Sequence, residues 1–266
     1  MNLEEHRARL ACRIYYWHNE IEPVHEVVQK GNEMRKALIL AGALALAPFG
    51  AAMAGPLEDG VAAAERGVYA TALHLIRPLA KRGDVAAQFA LGGMFDTGKG
   101  VSQDYGQAAF WYRKAADQGA PLAQLSLGMM FDTGEGIPQD YGQAAVWLRK
   151  AADQGNSDAQ HALGVLYDNG QGVPKDSEQA ALWYRKAAEQ GDVEAQHALG
   201  SDYALGDGVP KDYVQAHMWF NLAASRASDA EVRKEMAKFR DIVAAKMTPA
   251  QIAEAQRLAS KWAPKK

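Results

Sequence analysis

The chain has 266 residues, 48% of them hydrophobic, with a formal net charge of −3 and a sequence pI near 6.2. No excess of lysine and arginine is available to neutralise a phosphate backbone, so nucleic-acid binding has no electrostatic support. The single cysteine, Cys12, excludes an internal disulfide and has no metal-ligand spacing around it.

The first 33 residues read as an upstream extension, with Met34 as the expected true start. Met34-Arg35-Lys36 precedes an apolar run from Ala37 to Ala47, then Pro48, Gly50 and the small residues Ala52 and Ala54. A short basic segment, an apolar stretch and a small-x-small site form the layout of a secretory signal peptide. Residues 34–54 are therefore expected to be removed after Ala54, leaving a periplasmic or secreted chain that starts at Gly55. The competing expectation is an uncleaved anchor over residues 37–54, whose 18 residues include Pro48 and Gly50 and barely reach spanning length. Only in that case is a membrane a partner.

Residues 55–83 suggest a diverged helical pair acting as an N-terminal cap, with Pro78 expected to kink its second helix. From Gly83 onward a 36-residue period takes over, restarting at Gly119, Gly155 and Gly191. Glutamines recur at 88, 124, 160 and 196, and tryptophans at 111, 147, 183 and 219. A fixed period of this length signals an array of stacked units. The units are bounded at 84–119, 120–155, 156–191 and 192–227.

Within a unit the spacing predicts helix, loop, helix. Asp84, Asn156 and Asp192 suit the N-cap of the first helix, while Ala120-Pro121 puts proline at its first position. Ala87, Leu91 and Phe95 recur about one turn apart, as expected for a buried stripe. The loop carries two glycines, such as Gly98 and Gly100, the first suited to a left-handed helix end and the second to a further turn. Asp104-x-x-Gln107, repeated at Asp140, Asp176 and Asp212, reads as a capping box. Ala108, Trp111 and Ala115 form the expected buried stripe of the second helix, with tryptophan filling the space between units. After the fourth unit, residues 228–266 predict two capping helices, the last opened by Thr248-Pro249.

Catalytic and metal-binding signatures are sparse. His161 and His197 hold the same slot in successive units, but that slot holds Phe89 and Leu125 in the earlier ones, so it reads as a variable position rather than a metal site. The acids flanking the glycine loops lack the alternating order of a calcium loop. No Ser-x-x-Lys, Gly-x-Ser-x-Gly or phosphate-cradling Gly-Lys-Ser/Thr occurs. The expectation is a protein that is not an enzyme and holds no cofactor or metal.

The pattern AQxxLGxx[YF]xxGxGVPxDxxQAxxWYRKAAxQG resembles the Sel-one-like repeat, a relative of the tetratricopeptide repeat, over residues 84–227. Ser102 replaces the usual proline in the first unit, and Asn221-Leu222-Ala223-Ala224 replaces RKAA in the fourth. The resemblance implies an all-α, right-handed α-solenoid, monomeric and secreted by a bacterium, that binds a protein or peptide. By likeness to tetratricopeptide arrays, the first helices line a concave face. Phe89, Leu125, His161 and His197 would lie along it, with Gly93, Met129, Val165 and Ser201 one turn further and Asp96, Asp132 and Asp168 at its rim. Because some cysteine-rich secreted relatives are associated with β-lactams, a cell-wall or β-lactam hydrolase is one alternative reading. A membrane-tethered regulator with an uncleaved anchor is the other.

Overall fold

The computed structural model describes residues 55–265; the upstream extension, the signal segment with its cleavage site, and Cys12 lie outside the described residues. Those residues form twelve helices and no strand. They group into two compact units, the first ending at Gln118 and the second running from Gly119. The first holds α1 (Pro56–Glu65), α2 (Tyr69–Lys81), α3 (Val85–Thr97) and α4 (Tyr105–Asp117). The second holds α5 (Pro121–Thr133), α6 (Tyr141–Asp153), α7 (Ser157–Asn169), α8 (Ser177–Gln190), α9 (Val193–Leu205), α10 (Tyr213–Arg226), α11 (Ala230–Ala244) and α12 (Pro249–Lys261).

The first helices begin as their cap residues dictate. The carboxylates of Asp84 and Asp192 accept from the amides of Ala87 and Ala195 at 2.8 and 2.7 Å, and Asn156 accepts from Ala159 at 2.8 Å. Each helix ends on a left-handed glycine, at Gly98, Gly134, Gly170 and Gly206, with φ between 70° and 78°. Pro78 lies inside α2, which nevertheless continues to Lys81. So close to the helix end, the missing proline N–H removes a single bond to the carbonyl four residues back.

The second helices depart from the expected capping box. Asp104, Asp140 and Asp176 do accept from the amides of Gln107, Gln143 and Gln179 at 2.9–3.0 Å. The return bond from the glutamine is replaced by something longer-range. The amides of Asp104, Asp140, Asp176 and Asp212 donate to the carbonyls of Phe95, Phe131, Tyr167 and Tyr203 at 2.9–3.0 Å. The cap residue thus ties its helix to the preceding one. A reciprocal box does occur at α12, where Thr248 and Gln251 exchange bonds of 3.3 and 2.9 Å.

A second recurrent tie involves the periodic glutamines. Buried Gln160 donates to the carbonyl of Ala152 at 3.0 Å and accepts from Gln190 at 2.8 Å. Gln88 makes the same pair of contacts with Ala80 and Gln118, and Gln124 accepts from Gln154 at 2.8 Å. These side chains give helix-end carbonyls a second donor beside the backbone amides of Gly83 and Gly155. Replacing Gln160 with Leu removes its bond to the Ala152 carbonyl, which keeps the Gly155 amide at 3.0 Å, and unpairs the Gln190 side-chain amide. The change should cost about 0.5–1.5 kcal/mol in urea unfolding. A loss below a few tenths would mean that water takes over both partners.

Packing is tight because small residues let helices approach. A Cβ on Gly92, Gly128, Gly164 or Gly200 would fall 2.6–2.9 Å from Tyr112, Leu148, Tyr184 or Phe220 of the paired helix. The rings of Trp147, Trp183 and Trp219 are buried as expected, whereas Trp111 is only half-buried. In the second unit cations face these rings: Lys150 Nζ lies 3.8 Å from the Trp147 centroid and Lys186 Nζ 3.7 Å from that of Trp183. Arg149 links successive repeats, bonding the Tyr167 hydroxyl and lying 5.5 Å over Trp183. At the C-terminal end, Trp262 meets Trp219 edge-on at 6.2 Å, and Lys265 reaches the Glu189 carboxylate at 2.8 Å, seating α12.

Candidate functional site

The expected binding positions fall into three groups once their helices are packed. In the first unit none reaches the surface. Phe89 is buried with its ring 5.5 Å from that of Tyr112, Gly93 is buried, and Asp96 is buried accepting from the Tyr112 hydroxyl at 3.0 Å. Asp96 therefore anchors a tyrosine rather than edging a groove. The Phe89 ring packs on the Tyr112 ring and the Tyr112 hydroxyl holds the Asp96 carboxylate, so neither side chain is left to a groove.

In the second unit the slot opens and then closes again. Leu125 and Met129 lie one turn apart on α5 and are half-buried. His161 and Val165 on α7 are also half-buried, the His161 ring lying tilted against Tyr184 at 5.8 Å. His197 is buried between Phe220 at 5.4 Å and Phe239 of α11 at 4.7 Å, and is withdrawn from any such face. Burial, and then the charge of His161, lower its pKa to about 4, so its imidazole is neutral near pH 7. Ser201 is half-buried and donates to the His197 carbonyl at 3.1 Å.

The acids differ in kind. Asp168 is partly exposed and ion-pairs with Lys175 at 3.9 Å. Asp132 is half-buried, and desolvation pushes its carboxyl above the usual range. Asp158 and Asp192 are raised by desolvation as well, an effect that the nearby His161 opposes. The Asp192 carboxylate is already committed to the α9 cap. Among the described residues no group of three or more His, Cys, Asp or Glu side chains converges as metal ligands. Nor is any described helix long and apolar enough to cross a membrane; residues 37–54 lie outside the described region.

What remains is a row of side chains at periodic positions whose identity does not repeat: Leu125 and Met129, then His161 and Val165, then Ser201. Around them the repeating residues build a scaffold. Two features escaped the sequence reading. One is the glutamine pairing, for which the recurrence of Gln118, Gln154 and Gln190 was the available signal. The other is Asp202, at a position that is Met94, Met130 and Leu166 in the other repeats.

The profile of the Sel1 repeat matches at residues 85–119, 121–156, 157–192 and 193–228. Among solved structures, a protective antigen present in uropathogenic Escherichia coli strains, displaying an SLR fold, aligns at 36% identity with a TM-score of 0.69. That match covers 79% of this chain but only 46% of the antigen chain. A Sel1 repeat protein from Oxalobacter formigenes aligns at 30% identity and TM-score 0.64, covering 76% of this chain and 84% of its own. No curated protein sequence matches. Sel1 repeat proteins generally mediate protein–protein interaction and are typically non-catalytic scaffolds.

Proposed function

The chain belongs to the Sel1 repeat family, and from that premise we propose that it is an exported, monomeric, non-catalytic scaffold that binds a protein or peptide through the first-helix face of its second unit. One observation carries the reading: the half-exposed side chains that break the repeat, Leu125, Met129, His161, Val165 and Ser201, occupy equivalent positions on successive first helices. The scaffold residues around them are held by caps and buried glutamines, so a partner meets a surface that needs little ordering on binding. Apolar Leu125, Met129 and Val165 with acidic Asp132 and Asp168 nearby suit an amphipathic segment that also carries basic groups. Export rests on the signal-like segment 34–54; a mature protein isolated with Gly55 at its N-terminus supports it, and one retaining residue 37 supports the anchored alternative.

A photo-crosslinking amino acid placed at Met129 tests the binding face in cells. The expected result is a discrete adduct from position 129 and none from the exposed second-helix position Val146. Adducts from position 146 alone would move the binding surface to the opposite helices.

A further inference from the structure

Asp202 breaks the repeat at a position that is otherwise core. Its period-mates Met94, Met130 and Leu166 are 5%, 0% and 2% exposed. The first unit shows what that side chain does. A Cβ on Gly100 would stand 3.1 Å from the Met94 methyl and 2.8 Å from Cβ of Tyr69, so Met94 plugs the junction between its own glycine loop and the first turn of the preceding second helix. In the fourth repeat the corresponding glycine, Gly208, lies against that same first turn, where a Cβ would fall 2.0 Å from the Ser177 carbonyl oxygen. Both apolar contributors have become polar there: serine stands at 177 where Tyr69, Tyr105 and Tyr141 stand in the other repeats, and aspartate stands at 202.

The carboxyl is badly placed for a charge. Its Oδ2 is buried with no hydrogen-bond partner among the described residues. Burial first, and then the negative charges of Asp168 at the end of α7 and Asp207 in the loop after α9, push its pKa up to about 8. Lys175, in the loop after α7, is engaged by Asp168 at 3.9 Å. The start of α8 adds the acids Asp176 and Glu178, the former occupied in capping. Towards α10 and α11, Lys211 and Lys246 both lie over the Tyr213 ring, at 5.1 and 5.8 Å. Arg240 of α11 pairs with Asp241 and Asn221, and on α9 itself buried His197 is neutral near pH 7.

We propose that the junction between the third and fourth repeats is a proton-dependent latch, closed when the Asp202 carboxyl is neutral and takes the place of the missing Met or Leu, and loosened when it ionises. Loosening separates the last turn of α9 and the loop Gly206–Gly208 from the first turn of α8. The acidic neighbours oppose the ionised carboxyl, and serine at 177 leaves less apolar packing to hold the junction once it ionises.

The sign follows from linkage. The folded carboxyl holds its proton more tightly than the unfolded one, whose value is 3.8. The latch therefore contributes full stability below about pH 4 and loses it as pH rises through about 8. Thermal unfolding of the full chain, of Asp202→Asn and of Asp202→Leu, at pH 5.5, 7 and 9, tests this. Asn is isosteric and neutral, so its margin over the parent should already be open at pH 5.5, where the unfolded carboxyl is ionised, and should widen by at least about 3 °C by pH 9. Leu should melt above the parent at every pH, with a gap that widens by the same amount. Contributions from Asp132, Asp158 and Asp192 cancel in these differences. A gap that stays constant from pH 5.5 to 9 for both variants overturns the proposal.

Discussion

Gly172→Ala should lower the stability of the fold by at least about 3 kcal/mol, read as a shift in the urea midpoint. Gly172 has φ of 68°, in the left-handed region that side chains avoid, and an added Cβ would fall 2.1 Å from the carbonyl carbon and oxygen of Tyr141. Both obstacles are backbone, so no side-chain rotation relieves them, and the glycine loop must lift off the first turn of α6. Gly155→Ala is the matched control, with φ of 89° and nothing within 4 Å of the new methyl. It should cost only the left-handed strain, about 1–2 kcal/mol. Equal losses for the two would show that conformation alone, rather than loop-to-helix contact, explains the second glycine.

A loss of about 3–5 kcal/mol is expected for Trp147→Ala. The ring is 5% exposed, carries the Lys150 ammonium on its face, and fills space that small alanines leave open between helices. Its neighbour Val146 is 48% exposed, so Val146→Ala should change stability by no more than about 0.5 kcal/mol. A near-neutral Trp147→Ala would contradict the packing described for the second unit. Arg149 and Lys186, which flank Trp183 at 5.5 and 3.7 Å, make the same test available one repeat later.

Much of the scaffold was legible because it rests on short-range chemistry. Asp84 and Asn156 cap the helices they precede, and Gly98 and Gly170 end them, because those interactions span only a few residues. The second glycine makes the further turn expected of it, with φ of 66–77°, but its tighter constraint lies about thirty residues upstream, where Gly172 meets Tyr141. Gln107 was assigned a return bond to Asp104 that the structure gives instead to the Phe95 carbonyl. The local pattern fits a capping box equally well, and only the packing of one helix on another decides between them.

The binding face was less legible than the scaffold. Position 89 and position 125 are equivalent by period, yet Phe89 is buried against Tyr112 while Leu125 is half-exposed. Nothing within α3 itself specifies this. His197 is likewise closed over by Phe239, which sits on a helix outside the repeats. A periodic sequence marks which positions are equivalent, but a neighbour that differs from one repeat to the next sets their exposure. Asp202 was open to detection by the same comparison, because an acid among two methionines and a leucine is conspicuous at a buried position.

The scaffold and the binding face are therefore separable, and replacing Leu125 and Met129 together with Lys tests that separation. Both side chains are half-buried on one face of α5, and being apolar they make none of the cap or glutamine hydrogen bonds. The measurement is recovery of cross-linked partner from cell extract by the parent and by the double variant, alongside their helicity and urea midpoints. The account predicts that the variant keeps its helicity, loses no more than about 1 kcal/mol of stability and recovers no partner. Undiminished recovery by a folded variant would contradict it.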